Sequence, residues 1–404
     1  MSQPDFCTKA FLPGFAGRMN VIPRSCIREL LSGNQPKLIS FGGGVPHDSC
    51  VPLDALHQAF DATLTRYGAR AFSYGASEGE AELREYIAHQ WLPRFGLTPE
   101  TDDILIVNGS QQALDLLGKT LIDPQTSVLM ERPTYVAALQ AFSAFEPRFA
   151  DIAVGADGAD DGALMRALKR YKPRIFYTIP TFQNPSGACY SKAKRHACAE
   201  ALKAHADCVL IEDDPYSELY FDRKPPLPLC AEGIQNAALL GTFSKIVAPG
   251  LRLGWIWARG DLRRHLITAK QAADLCTGRF QQLLLLEVLR SLNLDTHLQR
   301  NREFYVKQRD RMLGAMSNHL TGLATWNIPS GGMFVWARLC QDQNALELLR
   351  ACLQQGVAFA DGSSFHAGGG GLATMRLNFT QLSFDNMDKG LGIIASVLRK
   401  MQPH

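Results

Sequence analysis

The sequence predicts an α/β fold with two parts, a large domain whose mainly parallel sheet lies between helices and a smaller α/β domain. Short apolar runs alternate with helical periodicity between about residues 100 and 260. Each run is apolar along its whole length, which favours strands covered on both faces. Strand-like runs return after a helical stretch that ends near residue 320, and this return predicts the smaller domain.

The predicted elements follow in a regular order. The strand runs DILIVNG, SVLMER, RIFYTIP and CVLIEDD are separated by the helical patterns QQALDLLGKTL, YVAALQAF and KAKRHACAEALKAH, and AALLGTFS follows. After GWIWAR and long helices, strands are predicted at GGMFVWARL, GVAFADG and TMRLNFT. A short helix is expected at CIRELLSG with Ser25 as its cap. We expect residues 1–47 to pack with the small domain, residues 48–295 to form the large domain and residues 296–404 the small one.

Composition narrows the classes of partner. With 404 residues, 46% of them hydrophobic, the chain can bury a large core. A net charge of +3 is too small for a nucleic-acid or membrane-surface footprint, so we expect a small-molecule partner, with no nucleic acid, no membrane and no metal. The ten cysteines form no Cys-x-x-Cys pair and resemble reduced core thiols, which favours a cytoplasmic setting. The amino-terminal residues lack a secretory pattern, and no apolar run is long enough to cross a bilayer.

Polar residues follow several of the predicted strands. In open α/β sheets, ligands bind beyond the carboxyl ends of the strands. Taken singly, such residues are more often only a helix cap, a turn, a polar loop and a lysine whose amine reaches the solvent. Their occurrence at the ends of one sheet favours a shared ligand site instead. The stretches are NGSQQ with Ser110 and Gln111, TFQNPSG with Asn184, EDDPY with Asp213 and Tyr216, and TFSK with Lys245.

This set matches the needs of pyridoxal phosphate chemistry. The cofactor requires an amine for its aldehyde, an anion at its ring nitrogen, donors for its phenolic oxygen and a phosphate site. Asp213 is the expected ring-nitrogen partner, with Asp214 as the nearer rival. Tyr216 and Asn184 are expected at the phenolic oxygen. Lys245 would supply the amine, because desolvation beside cations lowers the pKa of a lysine and leaves a neutral nucleophile.

Further residues complete the predicted site. A helix that opens at Gly109 and Ser110 could hold a phosphate at its positive end. Thr242, Ser244 and Arg252 surround the lysine turn and suit the same phosphate, although Arg252 also reads as a surface charge. Tyr135 in ERPTY is the candidate for stacking on the ring, and its alternative is an ordinary core tyrosine.

Seven stretches, GSQQALDL, ERPTY, FQNPSG, EDDPYSELYF, GTFSKIVAPGLRLGW, GGMFVW and MRLNFT, occur in this order between about residues 40 and 390. With them the chain resembles the class I/II aminotransferases that use pyridoxal phosphate. These enzymes have the aspartate aminotransferase-like fold, fold type I, and the chain is most similar to their 2-aminoadipate and kynurenine aminotransferase-like group. The resemblance implies that Lys245 is the Schiff-base lysine. It also implies the same roles as above for Asp213, Tyr216, Asn184, Tyr135, Ser110, Gln111, Thr242, Ser244 and Arg252.

The resemblance adds three residues. Arg376 would bind the substrate α-carboxylate with Asn184, and Gly44 in GGGVP would line the same pocket. An arginine inside TMRLNF is costly unless paired, so an internal salt bridge is the alternative for Arg376. Tyr74 resembles a tyrosine that reaches the phosphate of the neighbouring subunit, which implies a homodimer with shared active sites.

The expected activity is the transfer of the α-amino group of an L-amino acid to a 2-oxo acid by a ping-pong mechanism, with 2-oxoglutarate as acceptor by resemblance. One alternative is other pyridoxal phosphate chemistry, a decarboxylase or a lyase. A transcription regulator is disfavoured, because only about forty residues precede GGGVP. A catalytically silent binding protein is disfavoured by the complete set of polar residues. The donor amino acid stays open, since Phe15, Arg18 and Leu38 cannot be placed from sequence.

Overall fold

The computed structural model describes residues 14–23 and 38–401. The helix predicted at residues 26–33, with Ser25 as its cap, lies outside these ranges. Within them, strands and helices alternate as predicted, and the α/β class with a large, mainly parallel sheet is confirmed. Each cysteine that the structure describes is a free thiol. None of the helices in the described ranges has the length and apolarity needed to cross a membrane.

The large sheet has eight strands in the order β2-β9-β8-β7-β6-β3-β4-β5. Its parallel pairs are β4 with β3, β3 with β6, β6 with β7 and β7 with β8. Strand β9 runs antiparallel to both of its neighbours, β2 and β8. The strands are β2 Ile104–Val107, β3 Ser127–Arg132, β4 Arg148–Gly155, β5 Gly158–Ala159, β6 Ile175–Thr178, β7 Val209–Asp214, β8 Ala237–Thr242 and β9 Gly254–Ala258.

Helices pack against the large sheet and against the strands of the carboxyl-terminal part, and several begin at a polar cap. Ser191 accepts a hydrogen bond from the N–H of Lys194, and Asn293 accepts one from the N–H of Thr296. Such caps satisfy N–H groups that a helix leaves unpaired. The α-helices are α1 Leu53–Tyr67, α2 Ala81–Tyr86, α3 Ser110–Leu121, α4 Val136–Ser143, α5 Asp161–Tyr171, α6 Lys192–Lys203, α7 Gly260–Asp274, α8 Arg279–Ser291, α9 Leu294–Leu320, α10 Ala345–Leu353 and α11 Phe384–Met401.

The carboxyl-terminal part contains a four-stranded antiparallel sheet in the order β10-β11-β14-β13. A short parallel pair, β1 with β12, brings residues 39–40 to this part of the chain. Phe41 follows β1 and is fully buried against Gly390 of α11. The predicted domain boundaries at residues 47 and 295 stay predictions. The strands are β1 Ile39–Ser40, β10 Ala324–Trp326, β11 Phe334–Leu339, β12 Val357–Ala358, β13 Ala360–Asp361 and β14 Thr374–Asn378.

The central strands carry the site because their ends meet at one edge. Strands β2 and β6 are buried at every position, and each fully buried aliphatic side chain there contributes roughly 1.5–3 kcal/mol. The parallel register aligns Thr178 with Glu212 and Asp214 with Gly241. The loops after β6, β7 and β8 therefore leave the sheet side by side.

Close contact between strands leads to a stability prediction at Gly254. A Cβ atom at this position would lie 2.9 Å from the carbonyl oxygen of Gly241 and 3.0 Å from the carbonyl carbon of Gly109. We expect Gly254→Ala to lower the free energy of unfolding by roughly 1–3 kcal/mol, because backbone atoms on both sides must shift. Urea denaturation measures the change. Gly250→Ala is the control, since no atom lies within 4 Å of its added Cβ, and equal effects of the two changes would contradict the prediction.

Candidate active site

Lys245 lies in the turn after β8, with its amine in the interior of the site. Its Nζ donates a hydrogen bond to the carbonyl oxygen of Gly44, 2.7 Å away. Burial, together with the positive charges of Arg376 and Arg252, lowers the pKa of Lys245 to about 8, and the carboxylate of Asp213 opposes them. An appreciable fraction of neutral amine is therefore present near neutral pH, which is the form that attacks a carbonyl carbon.

Asp213 provides a buried carboxylate near this amine. Its side chain lies at the end of β7, and the residue is only 2% exposed. The hydroxyl of Tyr177 donates to Oδ2 at 2.9 Å, whereas Oδ1 is buried without a hydrogen-bond partner among the described residues. Burial raises the pKa of Asp213 to about 7, although the hydrogen bond from Tyr177 lowers it. Oδ1 is thus available to a cationic N–H of a ligand.

The neighbouring Asp214 has a different environment, because successive side chains of a strand point to opposite faces of the sheet. Its Oδ1 accepts the N–H of Ser217 at 3.1 Å and holds the following turn. It also lines a small separate cavity with Trp91 and Phe95. The structure therefore separates the two carboxylates that the sequence left as rivals, and only the charge of Asp213 acts on the pKa of Lys245.

Asn184, Tyr216 and Arg376 form a hydrogen-bonded group, and the charge of Arg376 acts on Lys245. The Asn184 Nδ2 atom lies 3.4 Å from the Tyr216 hydroxyl, to which it donates. The Arg376 Nη1 atom donates to Asn184 Oδ1 at 2.8 Å, and Nη2 donates to the carbonyl oxygen of Gly42 at 2.6 Å. Burial raises the pKa of Tyr216 well above its ordinary value, so its hydroxyl stays a neutral donor.

Arg376 is a buried cation that forms no salt bridge with an acid of the described residues. It lies on β14, is 5% exposed, and its guanidinium carbon is 4.1 Å from the ring centre of Phe334 and 5.1 Å from that of Phe365. Burial lowers its pKa to about 10. Within residues 14–23 and 38–401 its hydrogen bonds go to an amide and a carbonyl oxygen, so the salt bridge considered from sequence is not formed there. Three of its five N–H donors are left for an anion, and Nε has no partner in the same ranges.

The start of α3 forms a concave group of hydrogen-bond donors. Gly109 has φ of +74° and precedes the first helical residue, Ser110. The Oγ of Ser110 is buried without a partner in the described part of the chain. A Cβ at position 109 would lie 2.7 Å from Nη2 of Arg252, so the cation lies directly against this turn. Gln111 is exposed and its Nε2 donates to the carbonyl of Ala137 at 3.3 Å. A helix start beside an arginine suits a phosphate group.

The two hydroxyl residues before Lys245 stabilise its turn. Thr242 Oγ1 accepts the N–H of Ser244 at 3.1 Å and lies 2.9 Å from Ser244 Oγ. It is also 3.0 Å from the carbonyl oxygen of Leu253. Arg252 adopts the left-handed region with φ of +53°, and its Nη1 donates to the carbonyl of Pro249 at 3.3 Å. The contacts of Thr242 thus go mainly to the turn itself.

The remaining predicted residues differ in their positions. Tyr135 directly precedes α4 and packs against the hydrophobic core while partly exposed. Gly44 receives the hydrogen bond of Lys245, and a Cβ on it would lie 3.1 Å from Cζ of Phe334. Tyr74 is 82% exposed, and among the described residues its side chain makes no hydrogen bond. The structure of one chain does not bring Tyr74 to Lys245.

Sequence reasoning missed several residues that shape the site. Tyr177, in the strand run RIFYTIP, was read as part of an apolar strand, although its hydroxyl holds Asp213. Phe334 was quoted in GGMFVW without a role, and Phe365 and Gly42 were not considered. The alternation of side chains along strands could have indicated that Tyr177 of β6 and Asp213 of β7 lie on the same face of the sheet. The two phenylalanines give no sequence signal, because they meet Arg376 only in the folded chain.

The family model for aminotransferase class I and II matches residues 37–394. The chain belongs to this aminotransferase family. The aromatic-amino-acid aminotransferase 1 of Thermococcus litoralis is 36% identical over 93% of this chain and 91% of its own length.

Two solved structures agree with this assignment. The kynurenine aminotransferase of Pyrococcus horikoshii, in complex with PMP, superposes with a TM-score of 0.92 at 34% identity and covers 97% of this chain and 98% of its own. The alpha-aminoadipate aminotransferase of Thermus thermophilus, complexed with N-(5'-phosphopyridoxyl)-L-leucine, gives 0.88 at 35% identity over 96% and 97%. The fold is therefore the fold type I arrangement of these enzymes.

The protein is thus a transaminase of amino acids, and pyridoxal phosphate is its cofactor. The residues in the site fit this group. The orphaned Oδ1 of Asp213 and the orphaned Oγ of Ser110 are buried polar atoms that each cost about 1–3 kcal/mol without a partner. A protonated ring nitrogen would satisfy the first atom and a phosphate oxygen the second.

The pKa of Lys245 leads to a prediction about the cofactor-free protein. Its folded value of about 8 lies below the ordinary 10.5, so the folded state binds fewer protons than the unfolded state between these pH values. Stability therefore rises with pH through that window. At pH 7 the buried ammonium is a penalty, and Lys245→Met should raise the free energy of unfolding by roughly 1–3 kcal/mol.

Denaturation at pH 7 and pH 10.5 measures this effect, which should shrink at the higher pH. Lys169→Met is the matched control, because Lys169 is an exposed residue of α5. A stabilisation by Lys245→Met that did not depend on pH would indicate a packing effect and would contradict the electrostatic explanation.

Proposed function

We propose that the chain transfers the α-amino group of an L-amino acid to 2-oxoglutarate by a ping-pong mechanism, in which the first 2-oxo acid leaves before the acceptor binds. The observation that carries this proposal is the position of the Lys245 amine. Its pKa responds both to the carboxylate of Asp213 and to the guanidinium of Arg376. The amine is thus close to Asp213, which is suited to bind a ring nitrogen, and to Arg376, which is suited to bind a substrate carboxylate.

We assign the cofactor-binding residues as follows. Oδ1 of Asp213 would accept the ring N–H and keep the ring protonated. Tyr216 and Asn184 would donate to the phenolic oxygen, and Tyr135 would stack on the ring. The phosphate would be held by the start of α3 with Ser110 and Gln111, and by Thr242, Ser244 and Arg252. When bound, pyridoxal phosphate supplies an electron sink for negative charge at the substrate Cα.

Arg376 would bind and orient the substrate. Its remaining N–H donors can form the bidentate pair that arginine makes with a carboxylate. Asn184 and Gly42 fix the guanidinium from one side through the bonds of 2.8 and 2.6 Å, while Phe334 and Phe365 cover it with aromatic surface. The surrounding apolar rings exclude water, which strengthens the pairing.

Lys245 would move the proton at Cα. Its neutral amine would accept the Cα proton and later donate it, first as a general base and then as a general acid. A pKa of about 8 lies close to the working pH, where such transfers are most efficient. The hydrogen bond to the carbonyl of Gly44 holds the amine in place.

Replacement of Lys245 tests this assignment. We expect Lys245→Ala to lower kcat for amino transfer by at least about 100-fold, since both the covalent anchor and the proton carrier are lost. Borohydride reduction of the native protein should fix the cofactor to the peptide that contains Lys245. The Lys169→Ala variant is the control. Activity near the native rate in Lys245→Ala, or a label on another peptide, would contradict the assignment.

The acceptor and the kinetic order can be tested separately with the native protein. Donor-treated enzyme, freed of small molecules, should return to its starting absorbance fastest with 2-oxoglutarate in a panel of 2-oxo acids. Double-reciprocal plots at several acceptor concentrations should be parallel. A faster return with another oxo acid would refute the choice of acceptor, and intersecting lines would refute the ping-pong order.

We also propose a homodimer with shared active sites. Phe60, Phe72 and Tyr74 are exposed. The rings of Phe60 and Phe72 both contact Phe280, and the rings of Phe72 and Phe280 are stacked with their centroids 5.3 Å apart. An exposed aromatic patch of this kind favours an interface, and a second copy can cover it by two-fold symmetry. The side chain of Tyr74 would then reach the phosphate of the partner.

Mixed dimers test the sharing. Lys245→Ala and Tyr74→Phe chains should each be impaired at low cofactor concentration, whereas refolding an equal mixture should restore activity to about a quarter of the native value, because one site in each mixed dimer carries neither change. Mixing Lys245→Ala with Tyr171→Phe, a change at another exposed tyrosine, gives the reference for assembly. If the mixture of Lys245→Ala and Tyr74→Phe chains showed no increase in activity, Tyr74 would act in the site of its own chain or in neither site.

A further inference from the structure

Lys270 is a fully buried lysine that none of the proposed roles uses. It lies in α7 and is 0% exposed. An isolated ammonium in a protein interior is costly, so a buried lysine is normally paired. The Nζ of Lys270 lies 2.8 and 2.9 Å from the two carboxylate oxygens of Asp274, one helical turn later.

The pair is connected to the residues that open α3. Oδ2 of Asp274 accepts hydrogen bonds from Nδ2 of Asn108 at 2.6 Å and from Nε2 of Gln112 at 2.7 Å. Oε1 of Gln112 accepts the backbone N–H of Asn108 at 2.8 Å and the Nζ of Lys270 at 3.2 Å. The side chain of Asn108 is therefore held directly from α7, and its backbone N–H is held by Gln112 of α3, which itself contacts Lys270 and Asp274.

Asn108 precedes the turn with the unsatisfied donors. Gly109 and Ser110 follow it directly, and the first N–H groups of α3 have no acceptor within the helix. Gly109 is held by its backbone hydrogen bond to Val107 at 2.8 Å and is in contact with Arg252. The network thus restrains this turn at Asn108, in addition to the hydrogen bond with Val107 and the contact with Arg252.

We propose that the Lys270–Asp274 pair is a positioning element that orients the turn at Asn108–Ser110 for the phosphate of the cofactor. This inference rests on the proposed role of Ser110 and the start of α3 in phosphate binding. Asp274 supplies the acceptors for Asn108 and Gln112. Lys270 neutralises Asp274, so that the carboxylate can act beside an anion site without repelling the anion.

The neutralising role distinguishes the two members of the pair. Removal of Lys270 leaves a partly buried carboxylate without its cation next to the turn, whereas removal of both charges leaves only weakened hydrogen bonds. Lys270→Met should therefore weaken phosphate binding more than the double change Lys270→Met with Asp274→Asn.

The test compares two forms of the cofactor on the cofactor-free protein. Pyridoxal phosphate and pyridoxal differ only in the phosphate, and their Kd values can be measured by absorbance. In Lys270→Met we expect the Kd for pyridoxal phosphate to rise at least about tenfold and that for pyridoxal to change less than about twofold. Inorganic phosphate should also compete less well for the variant. A tenfold change corresponds to about 1.4 kcal/mol of binding free energy.

Matched variants separate positioning from general stability. Lys119→Met breaks another pair four residues apart, with Asp115 at 2.7 Å on the exposed face of α3, and should change neither Kd. If Lys270→Met does not fold, Asn108→Ala removes one contact of the network and should show the same selectivity for the phosphate.

Three results would overturn the inference. They are an equal rise of Kd for both ligands in Lys270→Met, no rise for either ligand, and a double variant that binds pyridoxal phosphate as weakly as Lys270→Met does. A native protein that bound pyridoxal phosphate no more tightly than pyridoxal would instead contradict the phosphate site itself, and with it the proposed function. The two failures are therefore distinguishable.

Discussion

The organisation of the site depends on the burial of one amine among opposite charges. Lys245 is shielded from water, two arginines disfavour its charged form and Asp213 favours it, with the net result that the pKa is lowered to about 8. Neither influence alone would suit the chemistry. Burial and the two arginines alone would leave the amine neutral, and a neutral amine is attracted less strongly to the carboxylate of Asp213. A carboxylate that dominated the site would instead keep the amine protonated. Many of the surrounding contacts serve to hold these charges at fixed positions.

The sheet supplies this arrangement through its parallel strands. Because β6, β7 and β8 end at the same edge, Asp213 at the end of β7 lies beside the loops that carry Asn184 and Lys245. Arg376 comes from the smaller sheet and is linked to the large one by its bond with Asn184. The site is therefore built at the contact of the two sheets, where a ligand can touch both.

The sequence predicted this architecture well, because the strand runs are apolar along their length and the polar residues follow them directly. It also predicted a lysine with a lowered pKa, from the turn around Lys245. It favoured Asp213 but kept Asp214 as a rival, because the adjacent residues differ only in the face of the strand that each occupies. It missed Tyr177, since a tyrosine in a buried strand looks like ordinary core. It also missed the network that links Lys270 to Asn108, because residues distant in sequence meet there only after folding.

Two of the restraints described above come from main-chain oxygens, since the carbonyl of Gly44 accepts from Lys245 and that of Gly42 accepts from Arg376. A main-chain acceptor survives replacement of the side chain, provided that the path of the chain is kept. Gly43 can therefore be replaced while both cations stay anchored, because an added Cβ there meets no atom within 4 Å, whereas Phe41 is fully buried and position 44 is crowded. At these two anchors the protein constrains the path of the chain more than the identity of its side chains.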